Sequence, residues 1–100
     1  MVVVRQLGLV PYPAGLAAQA AAADEVRGGA LDGVLLALRH TPVITMGRRT
    51  RPGDVHVPRW ERRALGIDLF HTDRGGGATF HHPAQAVVYP ILHLGRLRLT

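Results

Sequence analysis

Arg74-Gly75-Gly76-Gly77-Ala78-Thr79-Phe80-His81-His82-Pro83-Ala84-Gln85 is the stretch on which the reading of this 100-residue chain turns. An arginine precedes three consecutive glycines, and a Thr-Phe-His step follows them. Pro83 stops that run, and Gln85 opens the apolar segment Ala86-Val87-Val88-Tyr89-Pro90-Ile91-Leu92. Glycine serves where backbone takes positive φ or comes close to a ligand. Successive N–H groups in such a loop can cradle an anion or a polarised carbonyl. An arginine at its edge adds a planar, always charged fork. The stretch reads as a binding loop leading into a strand, or as a plain glycine-rich turn, and a glycine run alone does not choose between them.

Working outward, residues 67–72 alternate in polarity and read as a strand that delivers the chain to Arg74. Residues 78–81 and 85–94 read as strands on either side of a short connection at His82-Pro83-Ala84. Pro90 makes the second of them an edge strand or marks a bulge. Residues 95–100 read as a helix or strand about to begin.

Further upstream, residues 2–9 are β-branched and apolar and read as a first strand. Pro11-Tyr12-Pro13 breaks it. Residues 15–27 are alanine-rich and predict a helix, with Leu16, Ala20, Ala23 and Val26 as its apolar face. Gly28-Gly29 is expected to end it in the left-handed conformation. The continuous apolar run of residues 33–39 suits a strand covered on both faces. His40-Thr41-Pro42 reads as a turn and residues 43–46 as a short strand, so the two strands are expected to form a hairpin. Residues 58–65 predict a short helix with proline in its first turn, capped by Gly66. There is no internal repeat, low-complexity tract or interdomain linker.

At this length, with 47% hydrophobic residues, the chain is expected to form one small domain with little stability to spare. Its longest apolar run is far below the ~18 residues that span a bilayer, and its first residues lack the pattern of a signal peptide. No membrane contact and a cytoplasmic setting are expected. Without cysteine there is neither a disulfide nor a thiolate metal site. The net charge of +5 is carried by arginine alone. Three readings stand: a solvated arginine-rich surface, an acidic protein partner steered in by the field, or nucleic acid. With only 5% aromatic residues, mostly inside apolar segments, the stacking platforms of single-strand binding are missing, and nucleic acid is not expected. Cys, Lys and Ser, the usual nucleophiles of covalent acyl transfer, are all absent.

Six histidines raise the question of metal. His71 and Asp73 share a strand face, whereas His81 and His82 point to opposite faces. No His-x-x-x-His helix pair and no cysteine ligand accompany them, so no metal or cofactor is expected. His81 can bond a substrate carbonyl or fix the glycine loop, or be satisfied structurally. Arg48, Arg49 and Arg51 crowd one loop, either as a rim that meets an anionic partner or as a solvated stretch.

The pattern Arg-Gly-Gly-x-x-Thr-aromatic-His-x-Pro-x-Gln resembles that of the lipoyl (octanoyl) transferases. It is carried by Arg74, Gly75, Gly76, Thr79, His81, Pro83 and Gln85, and then Tyr89 and Pro90. The string His40-x-Pro42-Val43-x-Thr45-x-Gly47-Arg48 is similar to the same family. Departures fall at Arg39, where the family writes glutamate, and at His82 and Ala84, where it writes glycine. The resemblance runs from Val4 to Leu94 and covers the N-terminal half of the family domain.

It implies an α/β (α+β) fold with a mixed, largely antiparallel sheet flanked by helices, like that of the biotin and lipoate protein ligases. It implies transfer of an octanoyl or lipoyl group from acyl carrier protein to a lysine of lipoyl domains, those of 2-oxoacid dehydrogenases and the glycine cleavage H protein, by a protein monomeric when complete. The family's catalytic cysteine and lysine follow the glycine loop and do not occur in this chain. Arg74, Gly75, Gly76, Gly77, Ala78, Thr79, Phe80 and His81 are then the expected acyl-binding residues. A side chain at Gly76 is expected to block acyl binding more than it harms folding, and Arg74 to pair with a carboxylate or meet the donor's phosphate. Alternatives are a non-catalytic relative that binds a carrier or lipoyl domain, and a fragment of a lipoate or biotin ligase. The Pro83-x-Gln85 continuation fits the transferases better than the ligases.

Overall fold

In chain order the elements are β1 (Val2–Val10), α1 (Tyr12–Arg27), β2 (Gly33–His40), β3 (Val43–Met46), α2 (Arg59–Leu65), β4 (Asp68–His71), β5 (Ala78–His81) and β6 (Val87–Leu92). This is the architecture of a computed structural model that describes residues 1–99. It is an α+β arrangement of two three-stranded mixed sheets, ordered β1-β2-β6 and β4-β3-β5. The chain divides into two units, Met1–His40 with the segment from Ala84 onward, and Thr41–Pro83.

In the first unit, β1 and β2 run parallel and are joined by α1, because parallel neighbours need a crossover connection. β6 then pairs antiparallel with β2 from Leu38↔Val87 to Gly33↔Leu92. Pro90 sits opposite Leu35 on this edge strand, where its missing N–H disturbs no inner ladder. The apolar run of β2 is buried on one face only. Val34, Leu36, Leu38 and His40 are covered, Leu35 and Ala37 are half-buried, and Arg39 is exposed.

α1 begins at Tyr12, three residues before the predicted start. Pro13 is no obstacle there, since the first-turn N–H groups have no helical acceptor in any case. The buried face is Tyr12, Gly15, Ala22 and Val26; of the expected face Val26 is buried, Ala23 half-buried, and Leu16 and Ala20 exposed. Helix and sheet meet through small residues: a Cβ on Gly15 would lie 2.8 Å from Cε1 of His40. Gly28 is right-handed, and the left-handed residue is Gly29.

The segment after β6 is a turn rather than a new element. Arg96 closes it back on the unit, donating to the carbonyls of Val26 at 2.6 Å and Leu31 at 2.8 Å and pairing with Asp32 at 3.1 Å. Thr100, the last residue of that reading, lies outside the described residues.

The expected β2–β3 hairpin does not form. β2 pairs with β1 and β6, and β3 pairs with β4 and β5. His40 is fixed in the first unit, and the chain leaves through Thr41-Pro42 to start another sheet. In the second unit β3 is central, parallel to β4 and antiparallel to β5. α2 forms the β3–β4 crossover; Pro58 is its extended N-cap rather than part of the first turn, and Gly66 caps its end, as expected, in the left-handed conformation.

Candidate functional site

The glycine stretch is a turn fastened to the end of β3. Gly47 N–H donates to Gly77 O at 3.1 Å, Arg48 N–H to Arg74 O at 3.0 Å and Arg49 N–H to Gly76 O at 2.8 Å. The two backbones lie so close that a Cβ on Gly47 would be 2.5 Å from Gly76 O and 2.8 Å from Gly75 O. Only glycine fits at 47. Gly76 has φ +84, so glycine is required there by the turn itself. Gly75 has neither constraint, and a Cβ on it would meet open space.

These bonds run into the carbonyl oxygens of the turn. Among the described residues, the N–H groups of Gly75, Gly76 and Gly77 donate no hydrogen bond. The sequence-stretch that supplies three adjacent donors is thus held by its acceptors, which leaves the donors for another partner.

Arg74 bends back over β3. Its Nη2 donates to Thr45 O at 2.6 Å and to Thr45 Oγ1 at 2.7 Å, its Nε to Thr45 Oγ1 at 3.3 Å, and its Nη1 to Gly75 O at 3.0 Å. Thr45 is buried. Arg74 therefore holds the turn through a buried threonine and not through a carboxylate, one of its two expected partners. A fixed fork of donors suits this cluster of oxygens in a way a lysine does not.

β5 leaves the turn with Ala78, Thr79 and Phe80 exposed and His81 half-buried, opposite Met46, Thr45, Ile44 and Val43 in that order. Phe80 stacks on His82, with ring centroids 5.8 Å apart. A largely apolar cavity of about 410 Å³ is lined by Ile44, Val55, Val57, Ile67 and the β5 residues Ala78 to Phe80, with Asp54 and His56 as polar members. Its wall reaches the glycine turn, because Asp54 Oδ2 lies 3.8 Å from where a Cβ on Gly77 would sit. Asp54 is itself positioned by accepting from Arg51 N–H at 2.7 Å. Gly47, Arg48 and Arg51 line a second, more polar concavity together with Thr50, His71 and Thr72. The eight expected acyl-binding residues thus fall within one unit, from the turn into β5. Among the described residues no group of three or more His, Asp or Glu side chains gathers as metal ligands.

The first unit holds a polar cluster that sequence reasoning did not single out. His40 is fully buried. Its Nδ1–H donates to Val10 O at 3.2 Å, which leaves Nε2 to accept from the Tyr89 hydroxyl at 2.9 Å. Tyr12 and Tyr89 flank the imidazole with ring centroids 5.4 and 5.9 Å away. Burial pushes the Tyr89 phenol above its ordinary value, with a smaller contribution from Tyr12. His40 and Tyr89 both occur in the strings quoted for the family resemblance, but nothing in either string says that they meet.

Both strings lie inside the span that comparison with known proteins matches. A family model described as the lipoyl protein ligase A/B catalytic domain matches residues 11–100. An octanoyltransferase of Clostridium kluyveri is 41% identical over 90 residues, covering 90% of this chain and 39% of that protein. The mitochondrial octanoyl-(acyl-carrier-protein):protein N-octanoyltransferase of Xenopus tropicalis is 46% identical over 101 residues, covering 95% of this chain and 41% of its own length. The mitochondrial octanoyltransferase of Arabidopsis thaliana is 37% identical over 89 residues, 89% of this chain and 38% of that protein. The chain thus spans about two fifths of the length of the curated relatives it matches. With the glycine turn and the β3 string both inside the matched span, the chain belongs to the lipoyl protein ligase A/B catalytic domain family.

Proposed function

We propose that this chain supplies the acyl-binding part of an octanoyltransferase, which moves an octanoyl group from acyl carrier protein to a lysine of lipoyl domains. The observation that carries the reading is the glycine turn, pinned by its carbonyls with its N–H groups undirected, at the wall of an apolar cavity. At about 410 Å³ the cavity lies within the roughly 300–1,000 Å³ of small-ligand pockets. The names of the curated relatives support the same activity. In this reading Ala78, Thr79 and Phe80 line the wall against which the acyl chain lies, and His81 supports β5. The N–H groups of Gly75, Gly76 and Gly77 face the thioester oxygen, where negative charge develops as the carbonyl carbon is attacked. The thiol leaves from that carbon, and an amide forms on the acceptor lysine. Cys, Lys and Ser, the usual nucleophiles of covalent acyl transfer, are all absent from these residues, whose part is to bind the acyl group.

Gly75 is the position for the test. A Cβ at Gly76 is strained by positive φ, so loss of folding and loss of binding would coincide there. Gly75→Ala meets open space and has ordinary φ. In a full-length domain carrying this sequence, it is expected to lower octanoyl transfer to a lipoyl domain on the order of 10²-fold, as misplacement by about an ångström does. Melting temperature should stay unchanged or rise slightly, since alanine restricts the unfolded chain. Unchanged transfer by Gly75→Ala would remove the turn from acyl binding. A wild-type domain that adenylates free lipoate, and accepts no carrier-bound acyl group, would point to the ligase branch of the family.

A further inference from the structure

α2 presents a surface that the fold does not use. None of its seven residues is buried, and Trp60, the chain's only tryptophan, is 71% exposed. Arg59, Trp60 and Arg63 line one open concavity. Arg59 and Arg63 stand at i and i+4, where like charges cost a short helix a few tenths of a kcal/mol. An exposed indole leaves a large apolar surface in water. Among the described residues neither cost is offset, in contrast to Arg62, which donates to Val57 O at 2.7 Å and holds the preceding loop. The surroundings share the sign. Residues 48–63 contain six arginines against Asp54 and Glu61, which is four of the chain's five net positive charges. Arginine and tryptophan are the residues that dominate the energetics of protein interfaces.

From this we infer that the Arg59–Trp60–Arg63 face of α2 docks an acidic helix of the acyl-donating carrier protein, Trp60 packing on the helix and the two arginines pairing with its carboxylates. The inference rests on the proposed transfer reading for the identity of the donor. It rests on charge complementarity for the choice of face, since carrier proteins are typically acidic.

The experiment uses a full-length domain carrying this sequence, apo carrier protein for binding, and two donors, octanoyl-carrier and the small thioester octanoyl-pantetheine. Trp60 emission, isolated by difference from Trp60→Phe, should be accessible to acrylamide without carrier and shielded with it. The double variant Arg59→Glu/Arg63→Glu should weaken carrier binding at least tenfold and raise KM for octanoyl-carrier. The rate with octanoyl-pantetheine and KM for the acceptor lipoyl domain should not change, and rising salt should weaken carrier binding by the wild type more than by the variant. The inference is overturned if Trp60 is already shielded in the free domain, if the variant binds carrier as the wild type does, or if the acceptor's KM rises instead. A domain that binds carrier through Trp60 but transfers nothing would retire the transfer reading and leave the docking surface standing.

Discussion

The two units share one plan and put it to different use. Each joins two parallel strands through a helix and adds an antiparallel third strand to the central one. In the first unit α1 lies on β2 and β6 and closes a core around Ala22, Val26, Val34, Leu36 and Leu38. In the second, α2 buries nothing, and the covered positions of the sheet are Val43, Ile44 and Thr45, next to a glycine turn. Apolar burial holds the first. Hydrogen bonds from Gly47, Arg48, Arg49 and Arg74 hold the turn of the second. A unit secured by a few directed bonds can leave a cavity and a helix face open, which a close-packed core cannot do.

The sharpest test of that contrast compares a core residue of one unit with the largest side chain of the other. Leu36→Ala should cost about 2–5 kcal/mol through lost burial and the cavity left behind. Trp60→Ala, although it removes more atoms, should stay within about 0.5 kcal/mol, as exposed positions do. Denaturant unfolding of both variants in a full-length domain measures the difference. Equal losses would mean that α2 is packed after all, and the contrast between the units would fail.

A smaller effect probes the directed bonds. Thr45→Val keeps the β-branched shape but removes the Oγ1 acceptor of Arg74, and should cost about 1–3 kcal/mol. Transfer should fall further than the folded fraction does, because the turn loses its hold. Thr45→Ser restores the acceptor and should recover most of both. Thermal unfolding and octanoyl transfer measured on the same samples decide it. If the valine variant matches the wild type in transfer, Arg74 is not what positions the turn.

The smallest effect is a pH dependence confined to the first unit. The folded Tyr89 phenol titrates above the ordinary value of 10.0, chiefly because it is buried. Below that value both folded and unfolded chains hold the proton, and stability does not depend on this group. As pH rises past it, the unfolded chain ionises first, so stability is lost progressively up to the raised folded value. Melting temperature followed upward from neutral pH should show this loss, and Tyr89→Phe should flatten it. The phenylalanine variant should also be about 1 kcal/mol less stable at neutral pH, since His40 Nε2 loses its donor. An alkaline profile identical in the two proteins would assign the loss to other groups.

Local chemistry made much of this molecule legible from sequence. β-Branched runs, an alanine-rich stretch, and Pro58 and Gly66 at the ends of α2 gave element types and most boundaries, because these preferences act over a few neighbouring residues. Pro90 on an edge strand followed from its missing N–H in the same way. The helix face of α1 did not follow, because alanine on every side leaves periodicity little to distinguish. Anchoring by Tyr12 and the close approach at Gly15 selected it instead.

What only the tertiary structure decided is which distant segments meet. A continuous apolar strand carries no mark of its partner, so the short connection between β2 and β3 suggested a hairpin where the chain in fact changes sheets. The Arg74 bond to Thr45 spans 29 residues and the His40 bond to Tyr89 spans 49. The sequence alone determined that a glycine turn follows an arginine and leads into a strand. That its carbonyls are pinned and its N–H groups left over depends on the approach of Gly47, a backbone contact set by strand pairing, of which the residues of the turn carry no mark.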